Sequence, residues 1–316
     1  MNAAAARTGA APAALGRVEP QLRELVALAA FANALPAWSR SIRARSAGQL
    51  LSTLRGRGLE YDESRPYQPG DDIRHLDWRV TARTGRPHTK LFREERERPV
   101  LICVDYRRAM FFATRGVFKA VQAARAASVL AWRAQQNGDR VGGLVFADDG
   151  FHELQPRRGR TATLQWLKLL ADQAPHQRAA SAAAGGGGGL HDALTRLQRV
   201  TKPGSLIFLV SDFRGFDADT SSTLAQLGQH ADIGLIAIHD PLEANFPEFD
   251  GSATLADGTR TLRLAAIGSR ERAAYAAQFG ARLDAVRTLS RERRMLFTQL
   301  ETTGDAVAAL IKMFGG

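Results

Sequence analysis

The chain has 316 residues, 45% of them hydrophobic, which is enough for a packed core and too much for a disordered polymer. One cysteine, Cys103, excludes an internal disulfide and a cysteine-based zinc site. The net charge of +11 suggests nucleic acid or a membrane surface, but it is spread as +4 over residues 1–54, +2 over 55–98 and +5 beyond, the pattern of solvated arginine-rich faces rather than of one groove.

Residues 1–17 are rich in Ala, Gly and Pro and read as a disordered tail. Pro20, a favoured first-turn residue, opens an amphipathic helix over Glu19–Leu35, and a second helix is expected over Ala37–Leu54. The run from Leu22 to Leu35 contains Arg23 and Glu24, and no apolar run reaches the roughly 18 to 20 residues that cross a bilayer. No basic start followed by an apolar block heads the chain, so a soluble, cytoplasmic protein is expected.

Between Arg55 and Arg98 stand eleven Arg/Lys and nine Asp/Glu, interleaved with Leu59, Tyr61, Tyr67, Ile73, Leu76, Trp78, Leu91 and Phe92. Disordered charged segments lack such aromatics, so this one should fold. Pro66 and Pro69-Gly70 punctuate a turn, and Asp71 or Asp72 can cap a short helix with Ile73, Leu76 and Trp78 on one face and Arg74 and Arg79 elsewhere. Exposed ion pairs contribute only ~0 to 1 kcal/mol each, so docked aromatics are expected to supply most of its stability. A clasp of ion pairs and a partner-docking surface through Tyr67, Asp71, Asp72, Arg74, Asp77 and Trp78 both fit the pattern.

Beyond residue 98 the apolar runs Val100–Val104, Val141–Phe146, Leu206–Val210 and Ile233–Ile238 alternate with helical stretches. Runs this continuous are buried on both faces, so the fold class is α/β, with a doubly wound, mainly parallel sheet. Cys103 lies inside the first run and reads as a small buried hydrophobe. A helix over Val117–Gln135 presents the stripe Val117, Val121, Ala124, Ser128 and Trp132, with Arg125 at its edge. Asp148-Asp149-Gly150 marks a hairpin into an antiparallel edge strand over Phe151–Leu154, followed by a helix over Thr161–Asp172. Residues 176–189 end in five glycines and read as a flexible loop. A small hairpin around Asp257-Gly258, a long helix over Ser269–Arg294, a last strand over Met295–Leu300 and a last helix capped by Asp305 complete the chain.

An aspartate follows each of the four apolar runs: Asp105, Asp148, Asp212 and Asp240. The carboxyl ends of parallel strands gather on one edge, where open α/β sheets bind ligands, so these carboxylates are candidates for a shared crevice. They could hold a hard divalent cation, or each could cap the next helix or loop. Catalytic patterns are absent. The histidines show no metal-ligand spacing, Pro156-Arg157-Arg158-Gly159-Arg160-Thr161 lacks the residues of a phosphate loop, and no Gly-x-Ser-x-Gly elbow occurs. Asp71, Asp72, Asp77 and Lys90 match no two-metal nuclease pattern.

The string from Gly56 through Tyr67-Gln68-Pro69-Gly70-Asp71-Asp72-Ile73-Arg74, Asp77-Trp78 and Thr81-Ala82-Arg83, then Glu94-Glu95-Arg96 and a strand ending in Asp105, resembles the signature of the domain-of-unknown-function 58 family. The resemblance implies a von Willebrand factor A-like domain after the signature and association with a MoxR-type AAA+ ATPase or with other von Willebrand factor A proteins. Metal-binding domains of that kind use Asp-x-Ser-x-Ser after the first strand, a threonine on a later loop and an aspartate after the fourth strand. Here the first string reads Asp105-Tyr106-Arg107-Arg108-Ala109, and the threonine loop corresponds to the glycines near Gly185–Gly189. Only Asp105 and Asp212 remain, so Mg²⁺ is disfavoured and Arg107 or Arg108 is expected to replace the ion.

The expected organisation is a tail at 1–17, helices plus the charged signature at 18–98, and the α/β domain at 99–316. The expected function is that of a non-enzymatic adaptor without cofactor. Asp105, Arg107, Arg108, Asp212 and Arg214 would meet the partner at the sheet edge, with the Tyr67–Trp78 segment as a second rim. The alternative is nucleic-acid binding through the diffuse basic surface, which would fall steeply with salt.

Overall fold

The computed structural model describes residues 16–36, 59–69, 71–94, 98–173, 188–244, 254–256, 261–263 and 268–315. The expected helix over Ala37–Leu54, nearly all of the 1–17 tail and most of the 176–189 loop lie outside these residues. The chain divides into two compact units, Met1–Ile42 with Arg98–Gly316, and Arg43–Glu97.

The first helix, α1 (Leu22–Ala27), starts later than the sequence suggests and tightens into a 3-10 helix over Leu28–Ala34. Grouped by sequence with the charged segment, it packs instead in the larger unit, with Leu25, Leu28, Ala32 and Leu35 in the main core.

In the smaller unit β1 (Leu59–Pro66) pairs antiparallel with β2 (His88–Glu94). Between them lie a 3-10 turn at Ile73–His75 and α2 (Trp78–Thr84). The strands escaped the sequence reading because the register slips between Tyr61 and Glu63, which breaks the two-residue alternation. The capping expectation is met in pieces. Asp72 accepts from the Arg74 N–H, Asp77 caps α2 through the N–H groups of Arg79 and Val80, and Gly85 closes it at φ 68°. Two of the residues expected to dock do not: Ile73 is 66% exposed and Trp78 69%. Polar contacts pin the segment instead. Asp71 holds Arg65 at 2.6 Å, and buried Asp77 accepts from Ser64 at 2.6 Å.

The larger unit is built on one six-stranded sheet. Its strands are β3 (Pro99–Asp105), β4 (Arg140–Ala147), β5 (Gly150–Arg157), β6 (Leu206–Ser211), β7 (Asp232–His239) and β10 (Leu296–Glu301). A separate small hairpin, β8 (Thr254–Ala256) with β9 (Thr261–Arg263), interrupts the numbering. The order across the large sheet is β10-β7-β6-β3-β4-β5, parallel throughout except for β5, the antiparallel edge strand. Reading the first sheet strand as 1, this is 3-2-1-4-5-6, the doubly wound order that reverses between β3 and β6.

Alternation along β3 shows why the strand is apolar throughout. Val100, Ile102 and Val104 face one core with α3 (Lys119–Gln136), α4 (Arg160–Gln173), α9 (Ala306–Gly315) and the N-terminal helix. Leu101 and Cys103 face the other, with α5 (Leu190–Val200), α6 (Ala218–Leu227) and α8 (Ser269–Glu292). A four-residue helix, α7 (Pro241–Ala244), follows β7.

The stripe expected on α3 is too narrow. This helix is buried on almost every side because α1 lies across its outer face, where Trp132 Nε1 donates to the Leu25 carbonyl at 3.1 Å. Arg125, an intruder in the pattern, pairs with Glu24 across that contact, its Nε 2.6 Å from Oε1. On β4, Gly143 lets the Trp166 indole lie against the strand: a Cβ there would sit 2.1 Å from the Ile102 carbonyl and 2.7 Å from the ring.

Gly143→Ala is therefore expected to lower the urea midpoint markedly. Gly280→Ala, in open space within α8, should raise stability by about 0.5 to 1 kcal/mol. Equal effects of the two substitutions would show that the close approach at Gly143 has no energetic consequence.

Candidate functional site

Because β3, β6 and β7 are adjacent and parallel, Asp105, Asp212 and Asp240 emerge on one edge. Asp105 is fully buried. Arg107 grips it in a fork, Nε to Oδ1 at 3.0 Å and Nη2 to Oδ2 at 2.6 Å, while its own N–H also reaches Oδ1 at 2.9 Å. The third guanidinium nitrogen, Nη1, donates to the Arg214 carbonyl at 3.0 Å, and the group lies over the Phe146 ring. Ser211, the last residue of β6, donates its hydroxyl to Asp105 Oδ2 at 2.6 Å and accepts from the Phe213 N–H.

That hydrogen bond holds a strained turn. Phe213 is a fully buried aromatic at φ 55°, a conformation that costs a non-glycine residue about 1 to 3 kcal/mol. Asp212 accepts from the Arg214 N–H at 3.0 Å and so closes the same loop.

Lys119 is the participant the sequence reading missed. It is fully buried at the first turn of α3, where a cation opposes the helix dipole. Its Nζ lies 3.0 Å from Asp212 Oδ2 and 2.9 Å from Glu243 Oε1. Glu243 also receives Arg214 Nη2 at 2.8 Å. Arg214 Nε is 3.3 Å from Asp212 Oδ2 without hydrogen-bond geometry. Three carboxylates, Asp105, Asp212 and Glu243, thus face three cations, Arg107, Lys119 and Arg214.

Glu243 is aimed by a local device visible in the sequence as Asp240-Pro241-Leu242-Glu243. Asp240 caps α7 by accepting from the Leu242 N–H, and Glu243 Oε2 accepts from the Asp240 N–H at 3.0 Å. Asp240 is further saturated by the N–H and hydroxyl of Thr114 and the hydroxyl of Thr302, so it ties loops together. Arg108, named with Arg107 as a stand-in for an ion, gives its N–H to Asp148 at 2.6 Å, and Arg107 makes the bidentate contact. Tyr67, Asp71, Asp72, Arg74, Asp77 and Trp78 belong to the smaller unit described above.

Burial pushes the Asp105 carboxyl above its ordinary value against the pull of Arg107 and Ser211. Desolvation disfavours the charge on Arg107, but Asp105, Asp212 and Asp148 raise it further above its usual range. Burial would also raise Asp212, yet Lys119 and the amide and guanidinium of Arg214 hold it below the usual carboxylate value. A hard divalent cation wants several free oxygen donors, and here every oxygen of Asp105 and Asp212 already accepts a protein hydrogen bond beside fixed positive charges. The donor set does not fit such an ion.

The family described as "Protein of unknown function DUF58" matches residues 63–283. The chain belongs to this family. Two uncharacterized proteins, Rv1480 of Mycobacterium tuberculosis (strain ATCC 25618 / H37Rv) and Mb1516 of Mycobacterium bovis, are each 30% identical to this DUF58 protein over 212 residues, 66% of its chain and 64% of theirs. The alignment therefore spans less than two thirds of the length of these curated relatives. Among solved structures, the conserved hypothetical protein BatB from Bacteroides thetaiotaomicron aligns with a TM-score of 0.42 at 15% identity, covering 68% of this chain and 96% of that one. A von Willebrand factor type A structure from Catenulispora acidiphila gives 0.35 at 14%, covering 72% and 44%. The doubly wound, mainly parallel order with one antiparallel edge strand is the α/β fold class expected from the sequence. No helix among the described residues is long and apolar enough to cross a membrane.

Removing Lys119 takes away the fully buried cation that Asp212 and Glu243 share and leaves both to the half-exposed Arg214, so Lys119→Met is expected to lower unfolding stability by ~3 to 5 kcal/mol. The double variant Lys119→Met/Glu243→Gln should recover part of that loss, and strict additivity in urea titrations would refute the pairing.

Next to this network His239 is buried against Phe279 with the two rings tilted by 54°, its Nδ1 without a hydrogen-bond partner among the described residues. Burial depresses its pKa below the ordinary 6.5, against the opposing pull of Glu301 and Glu243. The folded chain thus binds fewer protons than the unfolded chain below that pH, and stability falls as pH drops through the window beneath 6.5. Urea midpoints measured from about pH 7 down to about pH 5 should decline in the wild type and decline less in His239→Gln.

Proposed function

We propose that the chain is a non-enzymatic protein-interaction module that acts without a metal. Its partner docks along the carboxyl edge of the large sheet, and the partner implied by the family resemblance is a MoxR-type AAA+ ATPase or another von Willebrand factor A protein. One observation carries this reading: the acidic and basic side chains gathered at the ligand-binding edge neutralise one another. Among the described residues, the hydroxyls that meet a carboxylate there, Ser211 on Asp105 and Thr114 and Thr302 on Asp240, are tied into these saturated networks, and no pair of carboxylates is left to share a cation. What the edge offers to solvent is a rigid, charged rim: Arg214 with 43% of its side chain exposed, and the exposed Arg115 and Gly215. A rim of fixed charge on a strained, internally braced loop suits recognition of an acidic partner surface. Arg107, expected from the sequence to reach the partner, has its guanidinium engaged within the fold, so in this reading it positions the Arg214 loop.

The full chain, immobilised, should retain an AAA+ ATPase from native lysate, identified by mass spectrometry, with retention that differs with and without ATP. Arg115→Glu, which leaves the buried network intact, should reduce retention at least about tenfold, the loss expected when a rim cation meets an acidic partner with reversed sign. Recovery of no ATPase in either nucleotide state would count decisively against the adaptor role. Retention of DNA at low salt, lost steeply as salt rises, would favour the nucleic-acid alternative.

A further inference from the structure

Within the network, Glu243 is placed as a ligand would be. Its two oxygens take three donors: Lys119 Nζ at 2.9 Å from the start of α3, Arg214 Nη2 at 2.8 Å from the loop after β6, and, from the capping residue of its own helix, the Asp240 N–H at 3.0 Å. Two cations and a backbone N–H converging on one carboxylate form a complete receptor for that group. The receptor is built into the sheet edge. Lys119 is fully buried and is also fixed by Asp212, and the Arg214 backbone is clamped from both sides by Asp212 and Arg107. The occupant's own anchorage is local, the capping turn that Asp240 closes on α7. Glu243 stands on α7, which has only four residues and is too short to persist as a helix without its contacts.

We propose that Lys119, Arg214 and the Asp240 N–H constitute a carboxylate-binding site that the chain's own Glu243 fills, and that an aspartate or glutamate side chain of a docking partner exchanges with it. Glu243 itself is 1% exposed, but Arg214 borders the site with 43% of its side chain in solvent, and its neighbours Gly215 and Ala244 are exposed. An incoming acid can meet Arg214 first and then replace Glu243 on Lys119. The exchange trades one buried carboxylate for another and leaves Lys119 charge-paired throughout, which avoids the penalty of stranding a buried cation. This inference rests on the docking role proposed above for its biological meaning, while its test needs no partner.

In Glu243→Ala the receptor loses its occupant and gains room for a small carboxylate. Acetate is the probe. The thermal midpoint of the full-length Glu243→Ala protein should rise saturably with sodium acetate, by roughly 2 °C or more near 100 mM, relative to sodium chloride at the same ionic strength. Wild type, with its own carboxylate in place, and Glu243→Gln, whose amide fills the same volume, should respond equally to the two salts. N-acetyl-glutamate amide, which presents the side chain a partner would offer, should stabilise Glu243→Ala in the same way. If Glu243→Ala does not fold in chloride, refolding yield in acetate against chloride reads the same point, and acetate should raise it. Indifference of Glu243→Ala to the choice of anion, or an acetate response of equal size in Glu243→Gln, would overturn the proposal. Loss of the ATPase interaction with a positive acetate response would fault the docking role alone.

Discussion

The large unit depends on keeping charge at the sheet edge paired while taking it out of water. Three carboxylates lie within the packed carboxyl end of a parallel sheet, and the desolvation of each would be prohibitive alone. Arg107, Lys119 and Arg214 supply the compensation, each from a different stretch of chain. Arg107 does so within two residues of its partner. Lys119 reaches across from a helix that starts fourteen residues after Asp105, and Glu243 arrives from beyond β7. The edge is therefore a meeting point of the whole fold, and its geometry is fixed only when the sheet is complete.

The same constraint explains the local strain. Phe213 adopts a left-handed conformation while fully buried, which persists only where neighbours over-determine it. Ser211 and Asp212 each hold an amide of that turn, Arg107 holds its carbonyl, and Phe213 packs near Phe216. The result is a rigid loop that presents Arg214 to solvent and to Glu243 together. A structural network and a recognition surface share these residues, since the side chains that balance the buried charge also set the shape of the exposed rim.

Much of the fold was legible because its strands are apolar on both faces. Val100–Val104 could only be a central strand, and Asp148-Asp149-Gly150 could only turn back on itself. Local capping was equally readable at Asp72 and Asp305, which accept from the N–H groups of Arg74 and Val307. In the charged segment the reading was weaker. Its residue types announced ion pairs, and Asp71 with Arg65 is one, but the bulged β1 and β2 pairing shows no clean period, and Ile73 and Trp78 stay in solvent. Arg125 looked like a flaw in a helical stripe until α1 supplied Glu24.

By itself the sequence determined the doubly wound sheet, the gathering of aspartates at its carboxyl edge and the arginines two and three residues after the first of them. These follow from periodicity and from residue chemistry at adjacent positions, which a linear string preserves. Tertiary structure alone decided that a lysine in an alanine-rich helix becomes the central buried cation and that Glu243 closes on it. The contact from Lys119 to Glu243 spans 124 positions, and nothing in the spacing of a lysine and a glutamate that far apart distinguishes a buried pair from two solvated side chains. Only the packing that excludes water from both makes them partners.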